Sequence, residues 1–281
     1  MILLMFLNFL FSNGDSTLVK ETEVNGFTNA VSVTIDGKEN IYVLDATANE
    51  VVKFNSKLEY RKRNGKQGWA EGQYDSPTYV DGSSGLDIFV TDGKNRRIQR
   101  LDLELNHIST LKTNLPDFPI EFQFNTPIAT LVLNTNELFV IDEDNQRIVI
   151  YKDGRIPTGV FGDYKSGKGQ LGRPVKLLRD DKNFVYVLDK EQKSILRLDN
   201  LGNYLNRIAI KNLETFTIRG NILYLFNGKE IVLYDLDKNN VIEKKILVVN
   251  GKRKKYRDIL VLSDKKYLLL DKNALSLWVE K

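Results

Sequence analysis

An all-β propeller of six four-stranded antiparallel blades is the fold this 281-residue sequence predicts, and three observations predict it. A short apolar strand ending in an acid or amide recurs along the chain. It recurs at a nearly constant interval. No segment after residue 14 carries the 3.6-residue periodicity of a helix. The strands are IYVLD ending at Asp45, IFVTD at Asp92, LFVID at Asp142, VYVLD at Asp189, LYLFN at Asn227 and YLLLD at Asp271. Their ends lie 47, 50, 47, 38 and 44 residues apart. A period of about 40–45 residues with several short strands per unit points to propeller blades.

The elements of each unit follow in a fixed order. An apolar first strand (VSVTI, IATLVL, PVKLLR) leads into a polar turn (DGKEN, NTNE, DDKN). The strand ending in Asp or Asn comes second. After a turn of about five residues a third strand follows (EVVKF, RIQRL, RIVIY, SILRL, EIVLY, LSLWV). A more polar fourth strand closes the unit (LEYRKR, HISTLK, GVFG, YLNRIAI, VIEKKIL). β-branched and aromatic side chains suit such half-buried pleated surfaces. The sixth unit stops at Lys281, just after its third strand, and STLVKETEV at residues 16–24 stands in front of the first unit. Pairing that N-terminal strand outside LSLWV completes the last blade and closes the ring, which covers two apolar sheet faces that would otherwise be exposed. One domain is expected over residues 15–281.

The first twelve residues, MILLMFLNFLFS, are apolar at ten positions and carry no charge. The run is shorter than the roughly 20 residues of a spanning helix and has the length of a signal-peptide apolar region. Ser12 and Gly14 place small residues at −3 and −1 of a cut before Asp15. No Lys or Arg precedes the run. Residues 1–14 are therefore expected to be a signal peptide, and the protein periplasmic or extracellular. No later apolar stretch approaches 18 residues, so no membrane span is expected after cleavage.

Composition narrows the chemistry. Absence of cysteine removes disulfides, thiol catalysis and thiolate metal sites. A single histidine, His107, excludes histidine-cluster mechanisms. It falls in the turn between third and fourth strands of the second unit and is expected at the surface.

DGKNRRIQRLD (92–102), EDNQRIVIY (143–151) and ATANEVVKF (46–54) resemble the core of the NHL repeat. GKQGWAEGQYDSP (65–77) and GDYKSGKGQLGRP (162–174) resemble the glycine-rich turn between blades of that family. The first four units carry these marks. The resemblance implies an NHL-like six-bladed propeller. Relatives of that kind include sensor domains of kinases, RNA- and protein-binding modules and an amidating lyase, so the fold does not select a function.

The recurring acids Asp45, Asp92, Asp142, Asp189 and Asp271 sit where the second strand turns into the third. An Asp oxygen there accepts turn N–H groups, so they are read as structural. The glycines and prolines of the inter-blade turns are read as backbone devices. A divalent-metal site of the lactonase type would need oxygen ligands converging from innermost strands. Glu121, Glu214 and Asp258, near first-strand starts, are the candidates for that alternative. No recognisable catalytic constellation is present, and the expectation is that the protein is not an enzyme and uses no cofactor.

Charge placement carries the functional reading. The connections between blades and the turns joining second to third strands share one face and sum to about +10; the opposite turns sum to about −5. The candidate ligand-binding residues on the basic face are Arg61, Arg63, Lys66, Trp69, Lys94, Arg96, Arg97, Lys165, Lys168, Lys252, Arg253, Lys254, Lys255, Tyr256 and Arg257. Lys62 belongs to the same runs, and Tyr74 and Tyr164 lie among them. A basic surface with interleaved aromatics suits an anionic partner. The expectation is an exported, monomeric, non-catalytic binding or scaffold propeller engaging a protein partner or an anionic envelope glycan. Single-stranded RNA is the alternative if the chain stays in the cytoplasm; a divalent-metal hydrolase is the other.

Overall fold

The computed structural model describes residues 16–248 and 255–281, so the leader at 1–14 lies outside the described residues. The fold is an all-β propeller. Strand β1 (Ser16–Asn25) opens the described chain. The first blade is β2 (Ala30–Ile35), β3 (Ile41–Asp45), β4 (Glu50–Phe54) and β5 (Tyr60–Asn64). The second is β6 (Tyr79–Asp81), β7 (Asp87–Asp92), β8 (Arg97–Asp102) and β9 (His107–Lys112). The third is β10 (Pro127–Val132), β11 (Glu137–Asp142), β12 (Arg147–Lys152) and β13 (Ile156–Phe161). The fourth is β14 (Pro174–Arg179), β15 (Val185–Asp189), β16 (Ser194–Leu198) and β17 (Tyr204–Ala209). The remaining strands are β18 (Thr215–Arg219), β19 (Ile222–Phe226), β20 (Glu230–Asp235), β21 (Asn240–Val248), β22 (Tyr256–Ser263), β23 (Lys266–Asp271) and β24 (Ala274–Glu280).

These last strands and β1 form one eight-stranded sheet in the order β18-β19-β20-β21-β1-β24-β23-β22. β1 lies antiparallel on β24, with Leu18 opposite Glu280 and Asn25 opposite Ala274. The expected pairing of the N-terminal strand outside 275–279 is thus present. The other edge of β1 runs parallel to β21, with Ser16 opposite Lys245 and Val19 opposite Val248. This corrects the expectation of six separate four-stranded sheets. β21 is long enough to reach the bare edge of β1, and pairing there satisfies backbone groups that a free edge would leave to solvent.

The strands β2, β6, β10, β14, β18 and β22 touch one another in that order, and β22 touches β2 again, so they surround an axis. Neighbouring sheets meet through apolar faces. Tyr42, Leu44 and Val51 of the first blade pack on Val80, Ile88 and Val90 of the second. Ile41 and Val43 pack on Leu268 and Leu270, which carries the core across the closure. No α-helix occurs among the described residues; the connections hold short 3-10 turns at Ile120–Phe122 and Gly167–Gly169.

The strand-ending acids are buried and make one repeated bond. Thr28 N–H donates to Asp45, Asp75 N–H to Asp92, Asn125 N–H to Asp142 and Gly172 N–H to Asp189, each donor 17 residues upstream. These carboxylates tie the connection entering a blade to its second strand, on the face called here the loop face. Gly65, at φ +128°, serves the same connection. A Cβ on it would lie 2.3 Å from Asn49 O and 2.8 Å from the Tyr74 ring.

The Asp45 bonds carry a pH signature. Burial alone would raise its carboxyl; the donors of Thr28, Ala48 and Asn29 reverse this and hold it below the ordinary carboxylate range. A carboxyl depressed by folding stabilises above the unfolded value of about 4 and loses that stabilisation as pH falls through the folded value. Asp45→Asn should therefore cost about 1.5–3 kcal/mol at pH 7. Urea unfolding should find the gap to wild type narrowing below pH 4.

Candidate functional site

The loop face brings two exposed rings out of the propeller. Trp69 is 72% exposed, in the connection between the first and second blades, and Tyr164 is 77% exposed, between the third and fourth. Both stand on loops held from behind by an arginine. Arg97 donates through Nη1 to Trp69 O (2.6 Å) and through Nη2 to Ala70 O (3.0 Å) and Gln73 O (2.8 Å). Arg207 donates through Nη2 to Lys168 O (3.3 Å) and Gln170 O (3.0 Å). The backbone of each loop is fixed while its ring is left to solvent.

Cations flank both rings. Lys66, Lys94 and Arg96 are exposed around the first loop. Lys165 stands over the Tyr164 ring at 5.4 Å, with exposed Lys168 in the same loop. Nearer the axis, exposed Arg173 and Lys255 act on half-buried Lys190. Burial lowers the Lys190 ammonium below its ordinary value; Glu214 opposes this, and the charges of Arg173, Lys255 and Lys176 add to it. Its Nζ donates to Leu213 O at 2.6 Å. Arg173 and Lys190 escaped the sequence reading, although they flank the recurring Pro174 and Asp189 marks.

Several candidates prove to be framework. Arg97 is 3% exposed; besides the three carbonyls it pairs with buried Asp92 at 2.8 Å, so it offers nothing to a ligand. Tyr256 is buried, edge-on to Phe226 and Trp278. Arg257 is half-buried and donates to Asn29 Oδ1 (2.7 Å) and Ala30 O (2.9 Å), joining β22 to β2. Tyr74 is fully buried. Arg61 and Arg63 sit on the outer strand β5, not in a connection, and pair with Glu59 and Glu50. Lys62 is on the same strand and donates to Asn106 Oδ1 (3.4 Å). Lys252, Arg253 and Lys254 lie outside the described residues. His107 is not a surface turn residue. It begins β9, its side chain is 14% exposed, and its ring bridges Thr110 Oγ1 (2.8 Å) and Glu71 (3.3 Å).

Polar side chains of the inner strands bond to one another around the axis. Asp258 accepts from Val33 N–H (3.1 Å), Ile259 N–H (2.9 Å) and Thr215 Oγ1 (3.3 Å), and from the ammonium of Lys176. Lys176 also donates to Phe216 O at 2.8 Å. Asp81 accepts from Val132 N–H at 3.0 Å, and Arg179 donates to Val132 O (3.2 Å) and Ser83 O (2.7 Å). Tyr79 reaches across from β6 to Leu177 O of β14 at 3.4 Å. Of the three carboxylates nominated for a divalent cation, Asp258 holds an ammonium instead. Glu121 is exposed and Glu214 half-buried, and no group of three or more metal-ligating side chains gathers among the described residues.

No family model matches the chain, and no curated protein matches it. Solved structures match its fold. A streptogramin B lyase aligns with a TM-score of 0.62 at 12% identity, over 95% of this chain and 94% of its own. Virginiamycin B lyase from Staphylococcus aureus, in selenomethionine form, gives 0.61 at 13%, over 94% and 99%. A catalytically inactive variant of the Staphylococcus aureus enzyme, with quinupristin, gives 0.61 at 16%, over 91% and 82%. At these identities the likeness carries the propeller fold. It also corrects the expectation that the protein is not an enzyme. The three neighbours are lyases, so a single histidine and an unmarked sequence are no ground for excluding catalysis on this fold.

Proposed function

We propose that the protein binds an acidic polysaccharide across the loop face of a six-bladed, NHL-like propeller. The eight-stranded sheet is read as two four-stranded blades sharing an outer edge, which gives six with the other four. NHL kinship is supported by Arg97 and Arg147, which stand at the same place in two blades. Each pairs with its strand-ending acid and holds carbonyls of the incoming loop. One observation carries the function: two solvent-exposed rings, Trp69 and Tyr164, each beside lysines, on loops clamped by arginines. Exposed aromatic faces stack on sugar rings or bases, and neighbouring cations attract anionic groups. Fixed backbones lower the ordering cost of binding. Export with loss of residues 1–14 belongs to this proposal; the intact mass of the native protein and its cell fraction test it.

The binding test is calorimetric titration with polygalacturonate, heparin and a single-stranded oligoribonucleotide. Trp69→Ala and Tyr164→Ala should each weaken polysaccharide binding by about tenfold, as expected for about 1–3 kcal/mol per stacked ring. Their melting points should stay at the wild-type value. Affinity should fall steeply with salt. Polysaccharide binding untouched by either substitution would sink the proposal. Tighter binding of the oligoribonucleotide would replace it with RNA recognition.

A further inference from the structure

In the first, second and fourth blades the turn joining strands three and four folds back onto the preceding sheet. Asn55, Asp102 and Asp199 open these turns. Each Oδ1 accepts the N–H groups two and four residues on, at 2.8–3.1 Å. The residue three positions on is left-handed: Leu58 (φ 62°), Leu105 (φ 60°) and Gly202 (φ 87°). Leu105 is fully buried, beside Tyr42 and Val51 of the first blade. Around it Leu103 O accepts from Tyr42 Oη (2.9 Å) and Lys53 Nζ (2.8 Å), and Glu104 pairs with Lys53 at 2.6 Å. Leu58 packs likewise in the cluster of Leu268. Gly202 lies close against Ile150 of the third blade.

The third blade departs from this pattern. Its β12 and β13 are joined by KDGRI at 152–156, a turn of the same length and with the same closing bond (Arg155 N–H on Lys152 O, 3.1 Å), but no Asn or Asp opens it, Arg155 takes the place of Leu105, and Asp153 and Gly154 are both at positive φ. No leucine stands at the position of Leu105, and a cleft of about 760 Å³ remains between the second and third blades. Such a volume lies in the range of ligand-binding clefts. Its wall holds the second-blade counterparts of the residues that receive Leu105. Phe89 stands where Tyr42 does, three before the strand-ending acid, and Arg100 where Lys53 does, three into the third strand. Leu86 and Ile108 at the rim are 77% and 48% exposed. Apolar side chains left open together mark an interaction surface.

We infer that this cleft receives a leucine-bearing acidic turn from a partner polypeptide. The chain itself supplies the template. In the neighbouring position a leucine fills the apolar floor and the acid before it meets a cation. At the open position the floor is Phe89, Ile98 and Leu111; Arg155 stands at its edge, beside Arg100, which pairs with Asp87 of the same wall at 2.6 Å. This surface lies on the face opposite the polysaccharide loops and does not depend on that proposal.

The probe is a fluorescent head-to-tail cyclic peptide that reproduces residues 101–106. Saturable binding to the full protein is expected, with at least a tenfold loss for a peptide carrying alanine at the Leu105 position. Ser109→Trp, at an exposed site on β9, places an indole in the cleft. It should abolish peptide binding with the melting point unchanged. An independent measurement replaces Lys-Asp-Gly-Arg-Ile at 152–156 with Asp-Leu-Glu-Leu-Asn, the residues at 102–106 of the second blade. That chain should melt higher than wild type and no longer bind the peptide. Absence of saturation by wild type at millimolar peptide would overturn the inference. So would equal binding by the alanine peptide, or a grafted turn that leaves both the melting point and peptide binding unchanged.

Discussion

Lys176→Met is expected to lower the unfolding free energy by about 3–5 kcal/mol, the cost of stranding one member of a buried ion pair. For a chain of this size that is a drop in melting temperature on the order of 10 °C. Lys176 and Asp258 are 6% and 3% exposed, and their contact spans the axis from β14 to β22. With methionine at 176 the Asp258 carboxylate keeps two backbone N–H donors and a threonine hydroxyl, and loses its compensating charge. The double variant Lys176→Met, Asp258→Asn should recover part of the loss. Its carboxamide oxygen still serves Val33 N–H, and no bare charge remains. Urea unfolding of the two single variants and the double variant gives the coupling directly. A Lys176→Met protein as stable as wild type would show that the ammonium contributes nothing to closing the ring.

The second large effect is expected at Arg97. Arg97→Ala leaves Asp92 buried without its cation and takes the arginine donors from the Trp69 and Ala70 carbonyls, while Gln73 O keeps Gln99 Nε2. A loss of about 3 kcal/mol or more follows from the same argument. Arg97→Lys should rescue little. One ammonium cannot reach a carboxylate and three carbonyls that a guanidinium meets as a fork. Loss of the clamp also loosens the loop that displays Trp69, so polysaccharide affinity should fall with stability. Arg147 is the internal control. It is partly exposed and meets Asp142 at 3.3 Å, so Arg147→Lys should cost less. Equal stability of Arg97→Lys and wild type would mean that the fork is not needed.

Arg96 and Arg97 also mark where sequence legibility stops. Adjacent arginines in one basic run have opposite fates. Arg96 ends a turn at φ 49° and is exposed, whereas Arg97 starts β8 opposite Asp92 and points inward. The signal was available, because Arg147 repeats the position, and periodic placement had already identified the acids as framework. The strand ends, the period and the pairing of β1 with β24 were legible because they depend on short-range pattern and on a missing partner. The parallel junction of β1 with β21 was not, since nothing local distinguishes an edge that will be covered. The axis was equally silent. Lys176 meets partners 40 and 82 residues away, and the residue types alone suggested a metal ligand at Asp258. The open cleft, by contrast, could have been read from KDGRI at 152–156, which has neither the opening acid nor the leucine of DLELN at 102–106.

The way the ends meet fixes which way the propeller faces. Lys281 N–H donates to Thr17 O at 3.1 Å, and Glu280 stands opposite Leu18. Both ends of the described chain therefore emerge together, on the side away from the inter-blade loops. Anything fused to either end hangs from that side. A protein anchored by it would turn Trp69 and Tyr164 toward the surroundings and the cleft beside Phe89 toward the anchor.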